Sequence, residues 1–185
     1  MSKTILIIIT GPPCTGKTTL SKNIAHEFSL PCISKDEIKE LLFDSLGVKD
    51  REWSKQVGEA SFALLFLFVE KLLASGQSCI LESDLKPEYD NDTLRQLINK
   101  YNVVPFQIQC TTDGEMLFER FKQRSESGER HPGHVDHLNY EEFKPTLLQG
   151  RREPLDVGGY LYTLDTTNFD HIDYQKLFNE IRSIL

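Results

Sequence analysis

Residues 11–18 read G-P-P-C-T-G-K-T, which fits the pattern G-x-x-x-x-G-K-[ST], and a second threonine, Thr19, follows. Each residue type has a use if the ligand is a chain of phosphates. Gly11 and Gly16 let the backbone curl until successive N–H groups share one concavity, and a helix that starts there adds its positive end. Lys17 has the reach and the charge to meet β- and γ-phosphates, and the Thr18 hydroxyl can ligate Mg²⁺. The whole run Gly11, Pro12, Pro13, Cys14, Thr15, Gly16, Lys17, Thr18 and Thr19 is expected to wrap the phosphates of a nucleoside triphosphate.

Such a loop works only if a buried strand delivers it and a helix leaves it. Residues 4–10, TILIIIT, are a short continuous apolar run, the mark of a strand buried on both faces. Residues 17–28 place Leu20, Ile24 and Phe28 at helical spacing. The alternation then continues. PCIS (31–34) reads as a second strand. Residues 35–47 read as a helix with an acidic first turn, stopped by Gly47. Residues 53–74 read as a long helix closed by Ser75 and Gly76. Strands follow at 78–83, at 103–111 (with Pro105 marking a strand start or an edge) and at 160–167. Helices follow at 90–100, 114–124 and 173–185. The stretch 125–158, rich in Gly, Pro, His and charge, has no clear period. It is expected to form a lid and substrate segment with a short helix at 140–149. Strands alternating with helices imply an α/β three-layer sandwich around a five-stranded parallel sheet, in one domain over residues 1–185.

Ligands of open parallel sheets bind at the carboxyl ends of the strands. Glu82 and Asp84 close the third strand, where an acidic group can hold Mg²⁺ through water or fix an acceptor. A GTPase would carry an Asn-Lys-x-Asp base-reading motif after a late strand, and the chain has none. It is also short, and most of it beyond the phosphate loop reads as acceptor site plus lid, which favours a kinase.

The runs GPPCTGKTTLSKNIA, ISKDEIKELLF and ILES, in this order and spacing, resemble the small P-loop kinases and phosphotransferases. That group includes polynucleotide 5′-kinase domains, chloramphenicol phosphotransferase and the zeta toxins. The resemblance implies a P-loop nucleoside-triphosphate hydrolase fold of the nucleotide-kinase type, with ATP and Mg²⁺ as cofactors. It matches Asp36, in Ser34-Lys35-Asp36, to an aspartate near the acceptor hydroxyl, and a carboxylate there can orient the hydroxyl and accept its proton. Asp36 can equally cap the helix it opens, unless Ser34 takes the cap. By the same resemblance Arg120 would stack on adenine, Arg124 would clamp phosphate, and Arg130 would help from the lid. Arginine suits these tasks because its guanidinium is planar, forked and always charged. Thr166, Thr167 and Asn168 follow the last strand, where related kinases pack a loop on the adenine, although Asn168 or Asp170 can also be a plain cap for the last helix.

The implied reaction is transfer of the γ-phosphoryl of Mg-ATP to a hydroxyl of a small or nucleoside-like acceptor. A polynucleotide 5′-hydroxyl kinase and a non-catalytic nucleotide switch are the alternatives. The net charge of −7 disfavours nucleic acid without excluding a local basic groove. Trp53, Tyr140, Phe143, Arg151 and Arg152 are candidate acceptor contacts. His131, His134 and His137 are expected in a rigid turn of the lid that touches substrate or phosphate, since Pro132-Gly133 breaks the spacing a metal site would use. Cys14, Cys32, Cys79 and Cys110 are scattered in or beside apolar runs and read as reduced. The longest apolar run, 62–69, falls far short of the ~20 residues of a membrane span. It reads as a buried helix, with a dimer interface as the alternative. With no leader pattern visible, a cytoplasmic protein is expected.

Overall fold

The computed structural model describes residues 3–128, 130–135 and 140–185. Five parallel strands form one sheet in the order β2-β3-β1-β4-β5. They are β1 (Ile5–Thr10), β2 (Cys32–Ser34), β3 (Cys79–Glu82), β4 (Val104–Thr111) and β5 (Tyr160–Asp165). The helices are α1 (Lys17–Phe28), α2 (Lys35–Leu46), α3 (Arg51–Ala74), α4 (Pro87–Tyr101), α5 (Gly114–Glu126), α6 (Tyr140–Leu148) and α7 (Tyr174–Arg182). This is the α/β fold with sheet order 2-3-1-4-5 of the P-loop nucleotide-kinase type.

The central strand explains the layering. Successive side chains of a strand point to opposite faces. Leu6 and Ile8 therefore enter one core with Leu65, Val69 and Leu73 of α3 and Leu94, Leu97 and Ile98 of α4. Ile5, Ile7 and Ile9 enter the other with Leu20 and Ile24 of α1 and Leu177 and Ile181 of α7. All five β1 residues from Ile5 to Ile9 are fully buried, which is why that run shows no polar alternation. A third, smaller cluster joins α5 to α6 through Leu117, Phe121 and Leu147, with Phe143 packed on it.

Several boundaries differ from expectation for local reasons. α3 starts at Arg51 because Asp50 accepts a bond from the Trp53 amide at 2.8 Å and so caps it. α4 starts at Pro87, since proline is favoured in a first helical turn. Pro105 is the second residue of an interior strand, so it marks a start and not an edge. The 62–69 run is buried on one side only: Leu65 and Val69 are in the core, whereas Leu67 and Phe68 are each 44% exposed. The cap of α7 is Asp173, which accepts from the Lys176 amide at 2.9 Å. Asn168 instead accepts from the Asp170 amide at 3.0 Å and caps a short 3-10 turn. All four cysteines are free thiols. Among the described residues, no helix is long and apolar enough to cross a membrane.

Candidate active site

The carboxyl ends of β1, β2 and β3 open into one cleft of about 1340 Å³. The loop after β1 supplies its first wall. Pro12 and Pro13 have no N–H, so the anion-facing amides come from Cys14 onward. Cys14 (φ 67°) and Gly16 (φ 79°) both take left-handed backbone, the alternation that turns successive N–H groups to one side. Gly16 also has Phe169 beneath it: a Cβ at Gly16 would lie 2.7 Å from the Phe169 ring. The Thr15 hydroxyl donates to the Pro12 carbonyl at 2.9 Å, and Lys17 Nζ donates to the same oxygen at 2.8 Å. Lys17 is thus held across the loop mouth.

Thr18 and Glu82 meet at the ends of α1 and β3, with the Thr18 hydroxyl 3.5 Å from Glu82 Oε2. Ser34, the last residue of β2, donates to the same carboxylate oxygen at 2.7 Å. Ser34 stands at the cap position of α2 but makes no side-chain cap bond there, because its hydroxyl is spent on Glu82. Burial pushes the Glu82 carboxyl above its usual range, against the opposing pull of Lys17 and Ser34. Asp84 serves differently. Arg152 grips it through Nε at 2.8 Å and through a terminal nitrogen at 2.7 Å. Its carboxylate is therefore a structural partner on the cleft wall.

Asp36 stands in the first turn of α2, across the cleft. Arg130 donates to its Oδ2 at 2.9 Å and Lys35 reaches its Oδ1 at 3.3 Å. Burial alone would raise this carboxyl, but Lys35, Arg130 and His134 outweigh it and hold the group well below the usual carboxylate range. Arg130 also meets Glu40 at 3.3 Å and His134 Nδ1 at 3.0 Å, while His134 Nε2 lies 2.9 Å from Glu40. His134 sits in a short 3-10 turn, Pro132–His134, that closes on Phe43 of α2. A Cβ at Gly133 would meet the Phe43 ring at 2.3 Å, so only glycine permits this approach. Phe43 stacks on His131, which reaches Asp44 at 3.1 Å. Asp36, Lys39 and Glu40 recur at three- and four-residue spacing, so α2 turns one polar stripe toward the cleft.

The remaining candidates divide. Arg120 donates to the Thr166 and Thr167 carbonyls at 2.9 and 2.6 Å and lies 4.2 Å above the Phe169 ring. It joins α5 to the loop after β5, and Thr167 Oγ1 accepts from the Asp113 amide at 2.9 Å in the same junction. Arg120, Arg124 and Phe143 line the cleft. Trp53 does not: its indole donates to the Gly47 carbonyl at 2.9 Å beneath Lys49. Arg151 and Arg152 line a separate hollow of about 410 Å³, and Tyr140 bonds Glu126. His137 lies outside the described residues. Sequence reasoning missed Phe169, Lys39 and the Glu40–His134 contact. The polar stripe of α2 was the available signal for Lys39 and Glu40; Phe169, after β5, lies off that helix.

Fold and loop define a P-loop protein of the nucleotide-kinase type, and the family follows. Residues 6–147 match the AAA domain family, and the chain belongs to it. The crystal structure of a candidate kinase from Chloroflexus aurantiacus is 40% identical and superposes over 100% of both chains with a TM-score of 0.93. An adenylate kinase from Chlamydia abortus is 33% identical over 134 residues. That match takes in 67% of this chain and spans 61% of the Chlamydia protein. An unliganded sugar kinase from Janibacter, 13% identical, shares the fold at a TM-score of 0.56 over 100% of this chain and 94% of its own. The family is that of small P-loop kinases, which bind ATP.

Proposed function

We propose that this chain transfers the γ-phosphoryl of Mg-ATP to a hydroxyl of a small molecule. One observation carries the reading: Asp36, fixed by Arg130 and Lys35, faces the same cleft as the Gly11–Thr18 loop, and neither carboxylate oxygen serves as a helix cap. The loop amides and Lys17 hold the phosphates, for which Lys17 leaves the Pro12 carbonyl. Arg120 anchors the adenine side through Thr166 to Asn168, and Arg124 and Arg130 face the transferring group. Residues 125–158 act as the lid of a single domain over residues 1–185, and its closure excludes water.

The acceptor oxygen forms a bond to the γ-phosphorus as the bond from that phosphorus to the β,γ-bridging oxygen breaks. ADP leaves with that electron pair. Asp36 orients the hydroxyl and takes its proton late, as suits a loose transition state and a carboxylate of low basicity. A buried carboxylate beside a hydroxyl fits a hydrated divalent cation, so Thr18 and Glu82 are the residues to hold Mg²⁺. The ion would neutralise charge between the β- and γ-oxygens. Among the described residues, no three His, Cys, Asp or Glu side chains cluster as a metal site, so the cation fits best as a companion of the nucleotide.

The test is γ-labelled ATP with sugars, sugar acids, nucleosides, amino-sugar antibiotics and 5′-hydroxyl oligonucleotides. Label on one small acceptor, lost in Lys17→Ala, is expected. Label on oligonucleotides alone would replace this reading with a polynucleotide kinase. Label released only as inorganic phosphate would leave an ATPase or a nucleotide switch.

A further inference from the structure

The chain carries a net charge of −7, yet its cleft is basic. Among the described residues, ten Lys and Arg line it against seven Asp and Glu. The phosphate loop and α5 account for only part of that surplus. Lys39, Lys55 and Lys86 lie on the other walls, on α2, on α3 and just before α4, and among the described residues none of their ammonium groups has a carboxylate within 4 Å.

Lys39 is the telling member. It is 94% buried by its surroundings, being 6% exposed. Its ammonium donates to the Ser54 hydroxyl at 3.0 Å and lies 5.3 Å from the Phe43 ring centroid. A buried ammonium held by one neutral hydroxyl and a ring is costly, because neither replaces the water it lost. Asp36, one turn away on the same helix, is the neighbouring carboxylate, and it is already engaged by Lys35 and Arg130. Burial, together with Lys35, Arg51 and Arg130, brings the Lys39 amine down to about 8 against the pull of Asp36. The site is built to be completed by a negative charge.

We infer that Lys39, with Ser54 and the flanking Lys55, forms an anion subsite on the acceptor side of the cleft, and that the acceptor carries a carboxylate or a phosphate besides its reactive hydroxyl. The second half of this inference rests on the kinase reading; the subsite itself does not. The spacing also bounds the acceptor. Side chains at i and i+3 of a helix are about 5–6 Å apart at Cβ. A hydroxyl at Asp36 and an anionic group at Lys39 thus belong to one compact molecule, such as a sugar acid or a sugar phosphate.

The experiment follows the Lys39 amine directly. The full chain is reductively methylated with ¹³C-formaldehyde, and the Lys39 dimethylamine resonance is identified by its loss in Lys39→Met. The phosphate loop is first saturated with Mg²⁺ and a non-hydrolysable ATP analogue, so that added phosphate cannot lodge there. Inorganic phosphate, gluconate, glucose 6-phosphate and glucose are then titrated separately. The Lys39 resonance is expected to shift and saturate with one of the anions and to ignore glucose. The phosphate and gluconate arms tell which anion the subsite prefers. By calorimetry, Lys39→Met should weaken that anion about 10–100-fold, the usual weight of a charge-assisted bond. A resonance unmoved by every anion, or moved equally by glucose, would overturn the subsite. Analogue binding with an inert Lys39 would do so while leaving the kinase reading standing. A responsive Lys39 without label transfer to any acceptor would keep the subsite and sink the kinase reading.

Discussion

The two walls of the cleft are built by different means. The nucleotide wall is backbone: a loop with left-handed residues at Cys14 and Gly16, delivered by a fully buried strand and seated on Phe169. The wall proposed to take the acceptor is side chain: Asp36, Lys39 and Glu40 on α2, tied to Arg130 and His134 from the segment ahead of α6. A backbone cradle offers the same donors to any triphosphate, so it suits a part common to many kinases. A side-chain wall changes with each substitution, so it suits the part that chooses the acceptor.

If the walls divide the labour in this way, damage to each should read out differently. Lys17→Ala strips the nucleotide wall of its cation. Label transfer should fall about 10²–10³-fold, with ATP affinity lowered as well, in a transfer assay paired with calorimetry. Unchanged ATP affinity would remove Lys17 from phosphate binding. Gly133→Ala strains the acceptor wall from outside by driving a methyl into Phe43, which is 1% exposed. Overpacking of this kind costs about 1–3 kcal/mol. The melting temperature should then drop by roughly 2–4 °C per kcal/mol at this chain length.

pH sharpens the same contrast. Burial lowers the His134 imidazole below its ordinary value. Arg130 and Lys39 add to that, while the bond to Glu40 and the charge of Asp36 oppose it. An unfolded histidine titrates near 6.5. As pH falls through that value the unfolded chain takes up a proton that the folded chain resists. The stability from neutral His134 is therefore complete above about 6.5 and is lost on acidification toward the lower folded value. Proton NMR of His134 should give a midpoint below 6.5, moved further down by Glu40→Gln and up by Arg130→Met. A midpoint at or above 6.5 would contradict the buried network. The smallest effect belongs to Trp53→Phe, which loses only the bond to Gly47. Stability should change by about 0.5–1.5 kcal/mol and label transfer not at all. A fall in transfer would return Trp53 to the acceptor site.

The same division explains what could be read from the residues alone. The sheet and the loop were legible because both are local patterns: the Ile5–Ile9 run, the helical spacing of Leu20 and Ile24, and the glycines around Lys17. Asp36 and Glu82 were legible as strand-end acids. The partners were not. Glu82 meets Ser34 across 48 residues, Arg130 meets Asp36 across 94, and Asp84 meets Arg152 across 68. No periodicity records contacts of that span. Trp53 misled for the opposite reason, since its indole is satisfied by Gly47 a few residues away.

The most direct test measures ATP affinity and label transfer on one preparation of Asp36→Asn. The substitution keeps the shape and removes the charge proposed to orient the acceptor. Transfer should fall about 10²–10⁴-fold, as expected for loss of a positioned acid–base group, while ATP binds as tightly as to the wild type. Transfer at the wild-type rate, or a parallel loss of ATP affinity, would contradict the account.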